Sequence, residues 1–267
     1  MEPDRIEAAA AELLEMRRAQ RIQVDLDPAN RPDDLADAYA VQALLVERSL
    51  SDDAAPIGYK VACTSKIAQA ALQIDRPVFG RLMSNTTSPS GVTLPADRFV
   101  HRVIEAEFAF RVAADVPPRA GGHTHDSISE YIDAALPAIE IVDHRFESWA
   151  IGALPIAADN AIHGWWVHGE PVTDWHRLDL ARAVVEVRRN GDTITTGTGS
   201  AALGHPLTVM AWLADELPVY GRALAAGDLV TTGVTTDVFE AGAGDRLEAE
   251  FAGLGTVELG FDECFVR

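Results

Sequence analysis

The sequence is poor in cysteine and in basic residues. Only two cysteines, Cys63 and Cys264, occur in 267 residues, which is too few for a disulfide framework or a zinc-binding pattern. We therefore expect a reduced, cytoplasmic protein. Lysine and arginine number 22 against 41 aspartate and glutamate residues, so the formal net charge is -19. A field of that sign disfavours nucleic acids and anionic membrane surfaces as partners.

Long apolar runs are also missing. The N-terminus lacks a basic segment followed by an apolar core, and no uncharged apolar run reaches bilayer length. We therefore expect neither a signal peptide nor a membrane span. Hydrophobic residues still make up 48% of the chain, which is ample for a sizeable core. The length allows one large domain, or a domain with an N-terminal appendage.

Hydrophobic spacing divides the chain into a helical first part and a strand-rich remainder. Apolar positions three and four apart indicate helices, and strict alternation indicates strands. The predicted helices cover 6–20, 34–49, 66–73, 128–136 (begun by Asp126) and 207–217. The predicted strands cover 57–63, 103–112, 138–142, 162–168, 183–189, 229–232, 238–240, 247–251 and 256–259. This order predicts an α+β fold class.

Two glutamates interrupt the strongest strand pattern, 103–110. Side chains two residues apart point to one face, so Glu105 and Glu107 project together. Glu140 interrupts a second apolar run, 136–143. Such carboxylates repel one another and lose solvation unless a cation or a shared proton compensates. One interpretation is a site for Mg²⁺ or Mn²⁺. The other is that Glu105 and Glu107 line the solvent face of an amphipathic strand, with Glu140 unrelated.

Lys60 stands inside another apolar strand, 57–63. A lysine there loses solvation unless its head reaches water or pairs with carboxylates. If Lys60 faces the three glutamates, their charges and a divalent cation together come near neutrality. The alternative is a lysine at a strand end with its ammonium in solvent.

Two other motifs favour ordinary structural roles. His123, His125 and Asp126 have the residue types of a metal cluster, but they stand in a Gly- and Pro-containing loop beside a predicted helix start. This setting is more typical of a solvated loop. Gly197-Thr198-Gly199 lacks the third glycine and the surrounding strand–loop–helix unit of a dinucleotide site, so it indicates an ordinary turn.

Short motifs from the second predicted helix to the last strand occur in the order and rough spacing of one known family. They are Gly58-Tyr59-Lys60-Val61 with Thr64-Ser65, Ile104-Glu105-Ala106-Glu107, Leu136-Pro137-Ala138-Ile139-Glu140, Ala158-Asp159-Asn160-Ala161, Leu203-Gly204-His205-Pro206-Leu207, Gly227-Asp228, Thr232-Gly233, Gly244-Asp245-Arg246 and Gly253-Leu254-Gly255. The chain thus resembles the 2-keto-4-pentenoate hydratase family, which includes 4-oxalocrotonate decarboxylases and belongs to the fumarylacetoacetate hydrolase superfamily.

The resemblance implies a fold and a site. The expected fold is a fumarylacetoacetate hydrolase-like mixed β-roll core over 57–267, with a helical N-terminal part over 1–56, together one integrated domain. The resemblance further implies that Glu105, Glu107 and Glu140 bind Mg²⁺ or Mn²⁺ and that Lys60 is catalytic. It implies a homo-oligomer in aromatic meta-cleavage degradation. Its small-molecule substrates would be 2-oxo acids, usually as 2-hydroxydienoate enol tautomers.

The chain departs from the hydratase pattern at two places. At the positions equivalent to 76–80, the hydratases of the family have a motif similar to Gln-Pro-Asp-Phe-Gly, and this chain has Val78 in place of the aspartate. At the positions equivalent to 159–162 they have a motif similar to Asp-Asn-Ala-Ser, and this chain has Ile162 in place of the serine. The family acid is thought to transfer a proton, which valine cannot do, and His163 is the nearest replacement in sequence. The decarboxylase branch often has an aliphatic residue at the Val78 position but usually keeps the serine. The substrate-pocket candidates are Val78, Phe79, Asp159, Asn160 and Ile162.

The predicted activity is therefore that of a metal-dependent lyase. A hydratase-type reaction is named first, and a 4-oxalocrotonate decarboxylase or an acylpyruvate-type hydrolase is the alternative. A catalytically silent binding protein is a second class of alternative. The presence of Lys60 and of all three glutamates argues against the silent version.

Overall fold

The computed structural model describes residues 1–263, which form two mixed β-sheets with helices packed around them. The helices are α1 (Pro3–Arg18), α2 (Leu35–Ser49), α3 (Lys66–Leu72), α4 (His125–Ser129), α5 (Ala153–Ala158) and α6 (Pro206–Glu216). The strands are β1 (Pro56–Ala62), β2 (Val78–Met83), β3 (Thr87–Pro89), β4 (Val92–Leu94), β5 (Val103–Val112), β6 (Ile132–Val142), β7 (His163–His168), β8 (Val184–Arg189), β9 (Asp192–Thr198), β10 (Leu229–Val234), β11 (Phe239–Glu240), β12 (Arg246–Phe251) and β13 (Gly255–Phe261). Cys63 is buried and free, and Cys264 lies outside the described residues.

The larger sheet contains eight strands and carries the site described below. Its order is β2-β1-β10-β5-β6-β7-β3, with β11 beside β5. The pairs β1–β10 and β3–β7 are parallel, and the other pairs are antiparallel. The smaller sheet has the order β4-β13-β12-β8-β9, in which β13–β4 is the parallel pair. The predicted α+β class with a mixed sheet is confirmed.

The longest antiparallel pair, β5 and β6, lies near the centre of the larger sheet. Its register places Glu105 opposite Glu140 and Glu107 opposite Ala138. Phe108, which points to the other face, is fully buried in the main core. The predicted alternation along this strand is confirmed, and it directs the carboxylates to one face of the sheet.

The N-terminal helices are fastened to the β-core. The ring of Tyr39 on α2 stacks on Phe79 of β2, with centroids 4.0 Å apart. Gln42 donates hydrogen bonds to the backbone carbonyls of Phe79 and Ala157, both at 2.8 Å. The hydrophobic core thus runs across residue 56 without a break. The division into 1–56 and 57–267 stays a prediction.

One predicted helix is wrong. The sequence favoured a helix over 128–136 begun by Asp126, but α4 ends at Ser129 and is capped by Thr124, which accepts from the backbone N–H of Ser127. Residues from Ile132 onward belong to β6. An apolar run that is buried on both faces has no distinguishing period, so pairing with β5 decides its conformation. Within residues 1–263, no helix has the length and apolar character required to cross a bilayer.

Candidate active site

Three carboxylates from two neighbouring strands converge on one point. Glu105 and Glu107 from β5 and Glu140 from β6 each offer an oxygen, and these atoms lie within 4.8 Å of one another. Glu107 and Glu140 are 0% exposed, and Glu105 is partly exposed. The solvent-face interpretation of this glutamate pair is therefore incorrect. His123, His125 and Asp126 form no comparable cluster among residues 1–263.

Strand β10 holds Glu107 in place. Oε2 of Glu107 accepts hydrogen bonds from the backbone N–H of Gly233, at 2.9 Å, and from the Thr231 hydroxyl. Gly233 has a φ of +89°, and a Cβ there would lie 1.8 Å from the Thr64 hydroxyl. Only glycine therefore fits, and its backbone can approach the carboxylate closely. The Thr64 hydroxyl is buried and has no hydrogen-bond partner within residues 1–263.

Glu140 lies between two nitrogen-bearing side chains. Its Oε1 is 2.8 Å from Nδ1 of His163, and its Oε2 is 3.1 Å from Nζ of Lys60. Because an ionised carboxylate only accepts, His163 carries its proton on Nδ1. The other ring nitrogen of His163 lies 3.1 Å from the Thr86 hydroxyl. Both His163 nitrogens are thereby engaged, which fixes the ring beside Glu140.

Lys60 lies inside the protein rather than in solvent. It stands opposite Thr231 of β10 and Gly80 of β2, and it is 1% exposed. Its Nζ donates a hydrogen bond to the Ala161 carbonyl at 3.0 Å. Of the two alternatives for Lys60, the structure shows the one that places it with the glutamates.

The charges of the cluster displace its pKa values. Burial, reinforced by Glu140 and Glu105, holds the pKa of Glu107 well above its usual range, and burial likewise raises the pKa of Glu105. Burial acts the same way on Glu140, but Lys60 and His163 outweigh it and lower that pKa. Burial alone would lower the pKa of Lys60, yet the glutamates raise it. Three carboxylates against one ammonium leave an excess of negative charge in a buried place.

The unfilled acceptor positions of the carboxylates fit a divalent metal ion. Oε1 of Glu107 is buried and accepts no hydrogen bond from residues 1–263, and Oε2 of Glu140 has no contact there that meets hydrogen-bond geometry beyond its 3.1 Å ion pair with Lys60. Buried acceptors without a donor are costly and need an explanation, of which an ion is one. Carboxylate oxygens are the ligands that Mg²⁺ and Mn²⁺ prefer. The donor set therefore suits a hard divalent cation, which would also balance the charge.

Two of the five pocket candidates lie on the carboxylate side of the sheet. Val78 is fully buried and shares a face of β2 with Gly80, the residue opposite Lys60. Ile162 is buried and packs with Val103 and Val142, the next cross-strand pair beyond Glu105 and Glu140. The surface beside the carboxylates is thus apolar at both positions where the sequence departs from the hydratase pattern.

The side chains of the other three candidates are engaged elsewhere. The ring of Phe79 stacks on Tyr39, on the side of β2 that faces α2. Asp159 is fully buried and pairs with Arg17 at 2.6 Å. Asn160 binds the backbone of Arg81. The side chains of Asp159 and Asn160 therefore bind α1 and β2 rather than the carboxylate cluster, and both residues belong to the turn that leads to His163.

Sequence reasoning missed Thr231 and the contact between His163 and Glu140. Thr231 stands in an apolar strand with no charged neighbour to draw attention to it. His163 follows Ile162, and local strand alternation gave no reason to turn its ring toward Glu140. The pairing of β6 with β7 provides that reason, because it brings His163 beside the end of β6.

A family model described as the fumarylacetoacetate (FAA) hydrolase C-terminal domain matches residues 52–261. The chain belongs to the fumarylacetoacetate hydrolase family. A 2-keto-4-pentenoate hydratase from Dechloromonas aromatica is 35% identical to it over 84% of both chains. A 4-oxalocrotonate decarboxylase from Pseudomonas putida is 31% identical over 85% of both. These relatives confirm the resemblance seen in the motifs.

The solved structures agree with this placement in the fumarylacetoacetate hydrolase family. The 4-oxalocrotonate decarboxylase from Pseudomonas putida G7, complexed with magnesium and adipate, superposes with a TM-score of 0.90. Its sequence is 26% identical, and the match covers 98% of each chain. The expected fumarylacetoacetate hydrolase-like fold, including the helical N-terminal part, is therefore confirmed.

Proposed function

We propose that this chain is a divalent-metal-dependent lyase acting on 2-oxo acids as their 2-hydroxydienoate enol tautomers. The first candidate reaction is hydration of the 2-keto-4-pentenoate type. The observation that carries the proposal is the convergence of Glu105, Glu107 and Glu140 beside the buried ammonium of Lys60. The hydratase and decarboxylase relatives support the same class of substrate.

The cluster suits chelation of a 2-oxo acid. Glu105, Glu107 and Glu140 would hold Mg²⁺ or Mn²⁺, which when bound would polarise the C2 carbonyl and stabilise negative charge on its oxygen. The polypeptide holds these carboxylates in one arrangement through the β5–β6 register and the Gly233 N–H. Apolar Val78 and Ile162 exclude water from the same side of the sheet.

Lys60 carries the positive charge of the site. Because the glutamates raise its pKa, its side chain is an ammonium at neutral pH. An ammonium donates hydrogen bonds, so Lys60 suits binding of the substrate C1 carboxylate and delivery of a proton to the developing product. His163, bound to Glu140 and Thr86, suits the orientation of Glu140.

Decarboxylation of 4-oxalocrotonate is the second candidate reaction. Hydration needs a positioned acid or base at the distal carbon, and Val78 and Ile162 supply neither. Loss of carbon dioxide needs mainly the polarised 2-oxo group, and an apolar wall favours release of a neutral product over a solvated carboxylate. Cleavage of an acylpyruvate is the third candidate, since it uses the same chelated 2-oxo group.

An ultraviolet assay with added Mg²⁺ separates the candidates. The substrates are 2-hydroxypenta-2,4-dienoate, 4-oxalocrotonate and an acylpyruvate, each followed by loss of its conjugated absorbance. We expect Mg²⁺-dependent turnover of at least one of the first two, and its removal by EDTA. Turnover of the acylpyruvate alone would replace the lyase with a hydrolase. Absence of Mg²⁺-dependent turnover with all three would refute the proposal.

The proposal extends to the setting of the enzyme. We expect a cytoplasmic homo-oligomer in aromatic meta-cleavage degradation, in keeping with the low cysteine count and the family resemblance. Analytical ultracentrifugation of the purified protein measures the oligomeric state. A monomer at micromolar concentration would contradict it.

A further inference from the structure

The turn between α5 and β7 has an unusual backbone. Asn160, Ala161 and Ile162 have φ values of +51°, +50° and +54°. Residues other than glycine rarely enter this left-handed region, and a β-branched residue such as isoleucine does so least readily. Three in succession persist only when the surrounding structure imposes the conformation. The turn therefore needs identifiable restraints.

This left-handed backbone conformation directs groups of the turn into the active site. The Ala161 carbonyl accepts the hydrogen bond of the Lys60 ammonium at 3.0 Å. Ile162 packs against Val103 and Val142 on the carboxylate side of the sheet. The next residue, His163, binds Glu140 at 2.8 Å. A relaxed turn would move an acceptor of Lys60 and the partner of Glu140 together.

One restraint acts from the side of the sheet. The amide of Asn160 accepts from the backbone N–H of Arg81 at 2.7 Å and donates to the Arg81 carbonyl at 3.0 Å, as a neighbouring strand would. Gly80 lets the turn approach this closely, because a Cβ there would lie 2.5 Å from the Asn160 carbonyl oxygen. Together these contacts fix the middle of the turn against β2.

The second restraint comes from the last turn of α1. Arg17 donates from Nε to the Asp159 carboxylate at 2.6 Å and from Nη2 to the Asp159 carbonyl at 2.8 Å. Its Nη1 donates to the His163 carbonyl at 3.0 Å. One guanidinium thus binds the residue before the left-handed run and the residue after it. A planar fork with fixed donors can do this, whereas a single ammonium cannot.

We infer that Arg17 is a positioning residue of the active site. By closing the turn at both ends it holds the Ala161 carbonyl on Lys60 and the His163 ring on Glu140. Helix α1 therefore helps to position the active site through Arg17, although the Arg17 side chain contacts none of the reacting groups. The turnover readout rests on the proposed function, but the metal-binding and exchange readouts below do not.

The chain offers a matched control. Arg18 is the next residue on the same last turn of α1, and it is exposed. Arg17→Ala and Arg18→Ala change the helix propensity and the net charge equally. We expect Arg17→Ala to lower Mn²⁺ affinity and kcat by on the order of 10–100-fold, as loss of a supporting partner typically does. KM should change less, and Arg18→Ala should behave like the native protein.

Rescue experiments test the geometry. Added guanidinium should restore part of kcat in Arg17→Ala, and Arg17→Lys should recover less than half of the lost activity. Amide hydrogen exchange should accelerate across residues 159–163 in Arg17→Ala, with little change in β12 and β13. Equal losses in Arg17→Ala and Arg18→Ala, or unchanged exchange in the turn, would overturn the inference.

A double variant separates this role from charge neutralisation. Arg17→Ala alone leaves the buried Asp159 carboxylate unpaired, so it can fail to fold for that reason. Arg17→Ala with Asp159→Asn removes the charge but not the need to hold the two carbonyls. We expect this variant to fold and still to show weak Mn²⁺ binding and fast exchange in the turn. Native Mn²⁺ affinity and native kcat in it would show that Arg17 serves only to neutralise Asp159.

If the native protein turns over no substrate, the proposed function fails, while the Mn²⁺ titration and exchange still decide the role of Arg17.

Discussion

Two regions of the molecule build the active site in different ways. Strands β5 and β6 supply three glutamates from a regular antiparallel ladder, in which alternation and register alone bring the side chains together. The β6–β7 connection supplies the Ala161 carbonyl and His163 through a left-handed turn that distant residues restrain. The ladder is robust because each residue is paired, and the turn is precise only while its restraints persist.

The largest expected effect comes from the ladder. Glu107→Gln keeps an acceptor for the Gly233 N–H but removes one negative ligand. We expect loss of measurable Mn²⁺ binding and a fall in metal-dependent kcat/KM on the order of 10³-fold, as for other groups that stabilise developing charge directly. Thermal stability should be unchanged or higher, because burial opposes the charge of Glu107. Glu248→Gln on the smaller sheet is the control, and native turnover in Glu107→Gln would contradict the assigned site.

Lys60→Met tests the residue that connects the two regions, because the Lys60 ammonium contacts both Glu140 of β6 and the Ala161 carbonyl of the turn. Methionine keeps most of the apolar stem and removes the charge. We expect kcat/KM to fall by about 10²–10³-fold, the range of a direct catalytic hydrogen-bond donor. Mn²⁺ affinity should be retained or higher, because a competing cation has left the cluster. Isothermal titration together with steady-state kinetics distinguishes this result from general damage, which would weaken both; full activity would exclude a catalytic role.

Gly80→Ala tests the turn alone. The new methyl group would lie 2.5 Å from the Asn160 carbonyl oxygen, so the turn has to shift. We expect destabilisation of about 1–3 kcal/mol, as for other overpacked sites, and a loss of turnover several-fold larger than any loss of Mn²⁺ affinity. Gly242→Ala is the control, since a Cβ there meets nothing closer than 3.4 Å. Denaturant unfolding and kinetics measure both, and equal behaviour of the two variants would show that the turn tolerates displacement.

The smallest effect concerns the choice of reaction. Val78→Asp with Ile162→Ser restores the two polar groups of the hydratase pattern on the carboxylate side of the sheet. We expect the ratio of hydration to decarboxylation to rise by about tenfold, less than the about 10²–10⁴-fold that a well-positioned acid or base contributes. Product analysis by nuclear magnetic resonance measures the ratio. Efficient hydration by the native enzyme, unimproved in the variant, would show that another group already supplies the proton.

The regular half of the site could be predicted from the sequence. Alternation places Glu105 and Glu107 on one face, but it left open whether that face is buried or lies in solvent. Glu140 was a candidate because it interrupts a second apolar run and fits the family motif, but its position opposite Glu105 depends on strand register. The same long-range pairing decided the fate of 128–136, where local spacing predicted a helix and β6 formed instead.

The irregular half could not be predicted in the same way. Arg17 and Asp159 are 142 residues apart in sequence, and no local pattern connects them. The left-handed run at Asn160–Ile162 contradicts the preferences of its own residues, so tertiary contacts must impose it. The motif marked Asp159 and Asn160 as substrate-pocket candidates, whereas in the structure their side chains bind Arg17 and the backbone of Arg81.

Under the proposed function, metal ligation and choice of reaction would fall to separate segments of this chain. The carboxylates stand on β5 and β6 and are oriented by Gly233 on β10, whereas Val78 stands on β2 and Ile162 on the turn. A substitution at Val78 or Ile162 can therefore alter which bond is made or broken without disturbing the strand register that gathers the ligands. A change at Val78 in particular would leave the paired strands β5 and β6, and with them the three carboxylates, in place.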